Sequence, residues 1–218
     1  PKWMQNYLRT IGITPKNNIV DITNYVMHEL GQPLHAFDFS KIKEEIIVKN
    51  LPDKTKFTTL DGEVRKLSNE DLMICDASKP LCIAGIYGGL DSGISEKTKK
   101  IFLECALFNP ISIRKSSKRH GLQTDASFRY ERGIDPDMLN YSLCRAIDLI
   151  LDLAGGKIDG NILKIEGGKR HLKKIYLRYD KIFAIAGFKI PDSKIVKILE
   201  SLDIKIISKN KNELNIEV

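Results

Sequence analysis

Aromatic residues are scarce in this chain: 7% of 218 positions, with a single tryptophan. That argues against a single-stranded nucleic-acid platform, in which bases stack on aromatic rings set among cations. Cysteine is sparse as well. Cys75, Cys82, Cys105 and Cys144 lie in apolar contexts and no two form a CxxC pair, which reads as reduced core thiols of a cytoplasmic protein and leaves no zinc site. No apolar run approaches the ~18–20 residues that a membrane helix needs, and no signal peptide is visible. GxxxxGKS is missing and GxGxxG has no convincing match, so the glycines do not point to ATP or NAD. No serine or cysteine is tied by motif to a histidine and an acid, which leaves a nucleophilic triad without support.

What is present is an ordinary globular balance, 42% hydrophobic and 29% charged, with a net charge of +7. The charge permits a polyanion such as RNA as partner, although runs such as Lys97–Lys100 and Lys169–Lys174 also read as solvated faces. The chain opens on Pro1 and closes inside NELNIEV, an alternating stretch that needs a neighbouring strand. It is therefore expected to be a fragment of a longer polypeptide.

Helical spacing of Trp3, Met4, Tyr7, Leu8 and Ile11 predicts a helix over 2–11, and Ile19–Leu30 predicts a second, stopped by Gly31. The helix should deliver QPLHAFD, residues 32–38, to a loop. From 45 to 75 the pattern turns to short β segments: EEIIVKNL, KFTTL, EVRKL and DLMICD, with Asp61-Gly62 as a hairpin turn. Leu81–Ile86 is a further strand. It leads into Gly85, Gly88, Gly89 and Gly93, where the backbone can approach a ligand or simply form a glycine loop. A short helix with a basic face is expected over 110–119. The clearest helix is 136–154, with Asp135 as cap, Pro136 in its first turn and Gly155-Gly156 as its end. One strand is expected within 155–170, and a strand, two helices and a further strand beyond it.

Two stretches stand apart. Residues 101–108, IFLECALF, form an apolar run broken only by Glu104, and a carboxylate there must pair with a partner such as Arg129 or Arg132, or face a cavity that needs an acceptor. Residues 120–136, HGLQTDASFRYERGIDP, are too polar for a core segment. They read either as a binding stretch or as a solvated loop with surface ion pairs worth ~0–1 kcal/mol.

DITNYVMHELGQPLHAFD (21–38), TTLDG (58–62), IAGIYGG (83–89), IFLECALF (101–108) and HGLQTDASFRYERG (120–133) resemble, in order and spacing, the tRNA-editing domain in the beta subunit of bacterial phenylalanyl-tRNA synthetases. The resemblance implies an α+β fold in two parts: an editing domain over 1–168, with a mixed or antiparallel sheet of short strands and helices packed on it, then the start of a small winged-helix-like domain over 169–218. It implies a site that hydrolyses tyrosine from mischarged tRNA(Phe). Carried over position by position, the site residues are His35, Glu104 and Thr124 as catalytic groups, and Glu104, Ala126, Gly88 and Gly89 around the substrate. His35 would lie near the ester, Glu104 would read the tyrosine hydroxyl, Thr124 would orient a water or the ribose, and Ala126 would leave room for the ring. A site that hydrogen-bonds a hydroxyl can disfavour the analogue lacking it by up to ~10⁴–10⁵.

Thr14 stands where relatives often carry arginine, and Lys16, Arg114, Lys118 and Arg119 are the candidates to grip the tRNA acceptor end in its place. By the same resemblance the whole enzyme uses ATP and Mg²⁺ and pairs two beta with two alpha subunits, while this stretch needs neither cofactor nor metal. Two alternatives accompany this reading. One is a docking scaffold of the same subunit with decayed editing, and the other an unrelated RNA-binding module.

Overall fold

The computed structural model describes residues 1–165, Gly167 and residues 172–218. Two compact units account for the chain, Pro1–Asp159 and Gly160–Val218. The domain boundary expected between 168 and 169 falls outside the described residues.

The first unit opens with α1 (Lys2–Thr10) and α2 (Asn18–Leu30), which pack on each other. Their apolar spacing buries Met4, Leu8, Ile22 and Val26, and this stripe meets Ala146 and Leu149 of α5 (Met138–Ala154) in one core cluster. Full burial of such a side chain contributes about 1.5–3 kcal/mol, so these contacts outweigh helix propensity in fixing the bundle. The Asn17 side chain caps α2 by accepting from the Val20 amide, and Gly31, at φ 75°, ends it in the left-handed conformation.

After Gly31 the chain does not loop. Residues Leu34–Asp38 form β1, which pairs antiparallel with β8 (Ile101–Cys105). The alternation of Leu34-His35-Ala36 breaks at once at Ala36-Phe37, and the partner strand comes more than sixty residues later, so local pattern was too short to announce it. Between the two lie β2 (Ile47–Asn50), β3 (Lys56–Thr58), β4 (Val64–Lys66), β5 (Leu72–Cys75), β6 (Pro80–Ile83) and β7 (Tyr87–Gly88). They make a four-stranded sheet in the order β2-β5-β6-β7 and a separate β3-β4 hairpin turned at Asp61-Gly62. Every described pairing is antiparallel.

Two shorter helices, α3 (Pro110–His120) and α4 (Asp125–Tyr130), follow β8. Ile113 and Tyr130 join Phe37, Met73, Ile74, Leu81, Ile83 and Phe108 in the second core cluster. The helix expected from Pro136 begins two residues later. Asp135 accepts from the Asp137 amide and closes a turn there, and Asp137 stands at the N-cap without a side-chain cap bond. The strand expected within 155–170 is absent among the described residues: Ile158, Ile162, Leu163 and Ile165 are exposed and pair with nothing.

The second unit is β9 (Lys174–Arg178), α6 (Tyr179–Ala186), α7 (Asp192–Ser201), β10 (Lys205–Lys209) and β11 (Glu213–Glu217). NELNIEV finds its neighbours here. β11 lies between β10 and β9, and Leu214 and Ile216 are buried against Ile195 of α7.

Candidate functional site

The β1–β8 ladder places His35 directly opposite Glu104. Side chains of opposed residues rise from the same face of a sheet with their Cβ atoms ~4.5–5.5 Å apart, so these two share one side of the ladder. Both residues keep some exposure overall, yet His35 Nε2 and Glu104 Oε1 are covered, and neither has a hydrogen-bond partner among the described residues. Burial lowers the His35 pKa to about 4 and raises that of Glu104 to about 8. At neutral pH the site therefore holds an uncharged imidazole beside an uncharged carboxyl group, because charge in an apolar pocket is the costlier state.

The pairing of Glu104 with Arg129 or Arg132 is not what the fold builds. Arg129 donates to the Asp125 carbonyl at 2.8 Å and to His28 Nδ1 at 3.1 Å. Arg132 donates to the Phe128 carbonyl and to Glu131, both at 2.7 Å. Glu104 is left with neither arginine as partner.

Gly88, on β7, lies against His35. A Cβ there would stand 3.2 Å from His35 Cε1 and 2.9 Å from Leu60 Cδ1, so the missing side chain is what leaves room beside the imidazole. Gly89 serves packing instead. Its amide donates to the Leu81 carbonyl at 2.8 Å, and a Cβ would lie 2.7 Å from that oxygen and 2.8 Å from the Phe57 ring.

Thr124 is the N-cap of α4. Its Oγ1 accepts from the Ser127 amide at 3.1 Å and donates to the Ile86 carbonyl at 3.0 Å, while Ser127 Oγ accepts from the Thr124 amide. The hydroxyl proton is thus committed, and one lone pair remains to accept from a ligand. Ala126, the second residue of α4, is half-buried against the cluster that holds Phe108 and Tyr130.

Three of the four basic candidates share α3, and Lys16 lies on another connection. Lys16 is exposed in the connection between α1 and α2, where its backbone amide donates to Asp21. Arg114 and Lys118 are exposed on α3. Arg119, on the same helix, bonds Glu70 and the buried Asp71, which also accepts from Ser116 and bonds His120 Nε2.

Two residues not singled out in the sequence support the site. Gln32 is buried, and its amide nitrogen donates to the Pro33 and Ala106 carbonyls at 2.9 and 3.0 Å, tying the end of α2 to the end of β8. The Tyr130 hydroxyl reaches the same two carbonyls. A lone glutamine beside a proline carried no signal. No helix among the described residues is long and apolar enough to cross a membrane. Nor do three or more His, Cys, Asp or Glu side chains among them come together as a metal site.

Comparison with known families decides what carries this geometry. The B3/4 domain model matches residues 1–155. The chain belongs to the B3/4 domain family. Along its whole length this B3/4 chain is 48% identical over 219 residues to the phenylalanine-tRNA ligase beta subunit of Bacteroides fragilis strain YCH46, covering 27% of that protein. It is 47% identical over 220 residues to the beta subunit of the same name from Porphyromonas gingivalis strain W83, again covering 27% of it. The chain thus spans about a quarter of the length of these relatives. Among solved structures, it is similar to an N-terminal fragment of the phenylalanyl-tRNA synthetase beta subunit from Pyrococcus horikoshii. The TM-score is 0.45 at 14% identity, over 91% of this chain and 58% of the other.

Proposed function

We propose that this chain is the proofreading part of a phenylalanine-tRNA ligase beta subunit, and that its site hydrolyses the ester between tyrosine and tRNA(Phe). The observation that carries the reading is the opposed pair His35 and Glu104, of which His35 lies against Gly88 and whose covered atoms Nε2 and Oε1 have no hydrogen-bond partner among the described residues. A polar ligand bound there would satisfy both groups.

The chemistry follows from the protonation states. A phenolic hydroxyl can bond Glu104 Oε1, which phenylalanine would leave unpaired. One buried unmade hydrogen bond costs about 1–3 kcal/mol, or roughly 5- to 150-fold in discrimination. His35, uncharged above about pH 4, can hold a water or ribose hydroxyl without first losing a proton. Attack on the ester is by that water, helped by the vicinal hydroxyl of the terminal ribose, while Gly88 leaves space and Thr124 accepts one hydrogen bond. An aminoacyl ester is already reactive, so positioning is the main demand on the protein. In this reading the ATP and Mg²⁺ of the synthetic reaction belong to the alpha subunit, the partner of the beta chain, and the site works in the cytoplasm.

The test is deacylation of tyrosyl-tRNA(Phe) by the complete enzyme and its Glu104→Ala variant, with phenylalanyl-tRNA(Phe) as control. Selective tyrosyl hydrolysis that collapses or loses selectivity in the variant is the expected result. A parent enzyme that leaves tyrosyl-tRNA intact would make the domain a docking scaffold.

A further inference from the structure

The TTLDG turn has no part in the site as described, yet it lies at the site's edge. Thr59 is fully buried and forms an isolated antiparallel bridge with Gly89. The next amide, of Leu60, donates to the Gly88 carbonyl at 3.0 Å, and the Leu60 side chain closes over the space where a Gly88 Cβ would be. The hairpin thus holds the segment that bears Gly88.

Arg65, on β4 of that hairpin, reaches in three directions. Nε donates to Thr59 Oγ1 at 3.0 Å, Nη2 to Asp61 Oδ2 at 2.7 Å, and Nη1 crosses to the backbone carbonyl of His120 at 2.9 Å. Its side chain is 19% exposed, and its bonds to Thr59 and His120 are partly buried while the one to Asp61 is exposed. From His120 the chain runs on to Thr124, whose hydroxyl donates to Ile86, two residues before Gly88. The contacts close a circuit through Gly88, Leu60, Thr59, Arg65, His120, Thr124 and Ile86. Arg65 is where that circuit passes from the hairpin to the segment bearing Thr124. Asp61 orients the guanidinium, and the planar fork lets one side chain bond two acceptors on separate elements at fixed angles, which a lysine ammonium cannot reproduce.

We infer that Arg65 is a positioning residue of the site, fixing the separation between the segments that bear Gly88 and Thr124 by bonding Thr59 and His120 at once. The inference rests on the proposed hydrolysis. Its test is the rate of tyrosyl-tRNA(Phe) deacylation by the complete enzyme carrying Arg65→Lys or Asp61→Asn, with kcat and KM separated and the folded fraction measured by thermal melting. Misplaced segments should lower kcat for the tyrosyl ester ~10- to 100-fold in Arg65→Lys, with KM within ~2-fold and narrowed selectivity over the phenylalanyl ester. Asp61→Asn, which leaves the guanidinium in place but unoriented, should shift kcat the same way by less, and it carries the test alone if Arg65→Lys does not fold. A kcat per folded molecule within ~2-fold of the parent in the folded variants would overturn the inference. The parent enzyme is measured first. If it fails to hydrolyse tyrosyl-tRNA, the hydrolytic reading falls and this inference with it, whereas an active parent with unaffected variants removes Arg65 only.

Discussion

His35 and Glu104 face each other across the β1–β8 ladder without a hydrogen bond between them, and both are uncharged at neutral pH. Opposed residues that could form an ion pair elsewhere are here kept apart and neutral by burial. The pocket's polarity is thus set by desolvation rather than by a salt bridge.

That arrangement fixes a pH profile of stability. The Glu104 pKa is raised to about 8 from 4.5, so the folded state holds a proton that the unfolded state releases, and stability falls as pH rises from about 4.5 to 8. The His35 pKa is lowered to about 4 from 6.5, so stability from this group is present above 6.5 and falls as pH drops toward 4. The two slopes cancel between about 4.5 and 6.5, and a decline remains from 6.5 to 8. Melting temperatures across pH 4.5–8 should show His35→Gln starting its decline near 4.5 and Glu104→Gln losing the decline above 6.5. Unchanged profiles in both variants would refute the assignment.

Gly88→Ala should fold and fail. Gly88 does not adopt a positive φ, so alanine is compatible with the backbone, and overpacking against Leu60 and His35 should cost about 1–3 kcal/mol. The methyl group would occupy the space beside the imidazole, lowering tyrosyl-tRNA hydrolysis by more than ~10-fold while urea unfolding remains cooperative. Hydrolysis at the parent rate would mean the substrate lies elsewhere.

Thr124 is a helix cap, and under the proposed function it is also an acceptor for the substrate. Thr124→Ser keeps the oxygen and should retain most hydrolysis. Thr124→Val removes it, costing about 1 kcal/mol in cap energy and freeing the tie to Ile86, so both stability and kcat should fall. Equal kinetics in the two variants would show that the hydroxyl is structural only.

Arg119 and Lys118 are neighbours in sequence with different surroundings. Arg119 bonds Glu70 and Asp71, the latter fully buried, and Arg119→Ala should destabilise the fold. Lys118 and Arg114 are exposed, and replacing both by glutamine should leave melting unchanged while reducing the salt dependence of tRNA binding by about one phosphate contact each. An identical salt slope in the double variant would remove α3 from the tRNA surface.

How much of this could be read from sequence depended on the distance between the residues involved. The stop at Gly31 and the turn at Asp61-Gly62 are short-range signals, and the fold follows them. Glu104 could be recognised as a carboxylate out of place, because the strangeness lies in its own apolar strand. What sequence could not decide was whether Arg129 or Arg132 satisfied it, since that depends on where α4 docks. Strand β1 and the reach of Arg65 to His120 were hidden for the same reason: each is a pairing between segments far apart in the chain, defined only once both have folded.

The β1–β8 ladder also ties chemistry to folding order. Its pairing of residue 35 with residue 104 closes a loop of about seventy residues, with an entropic cost on the order of 4 kcal/mol. The intervening sheet must offset that cost before the two strands meet. The His35–Glu104 pair therefore exists only once β1 and β8 have met, and under the proposed function the first hydrolytic turnover during refolding would mark that closure.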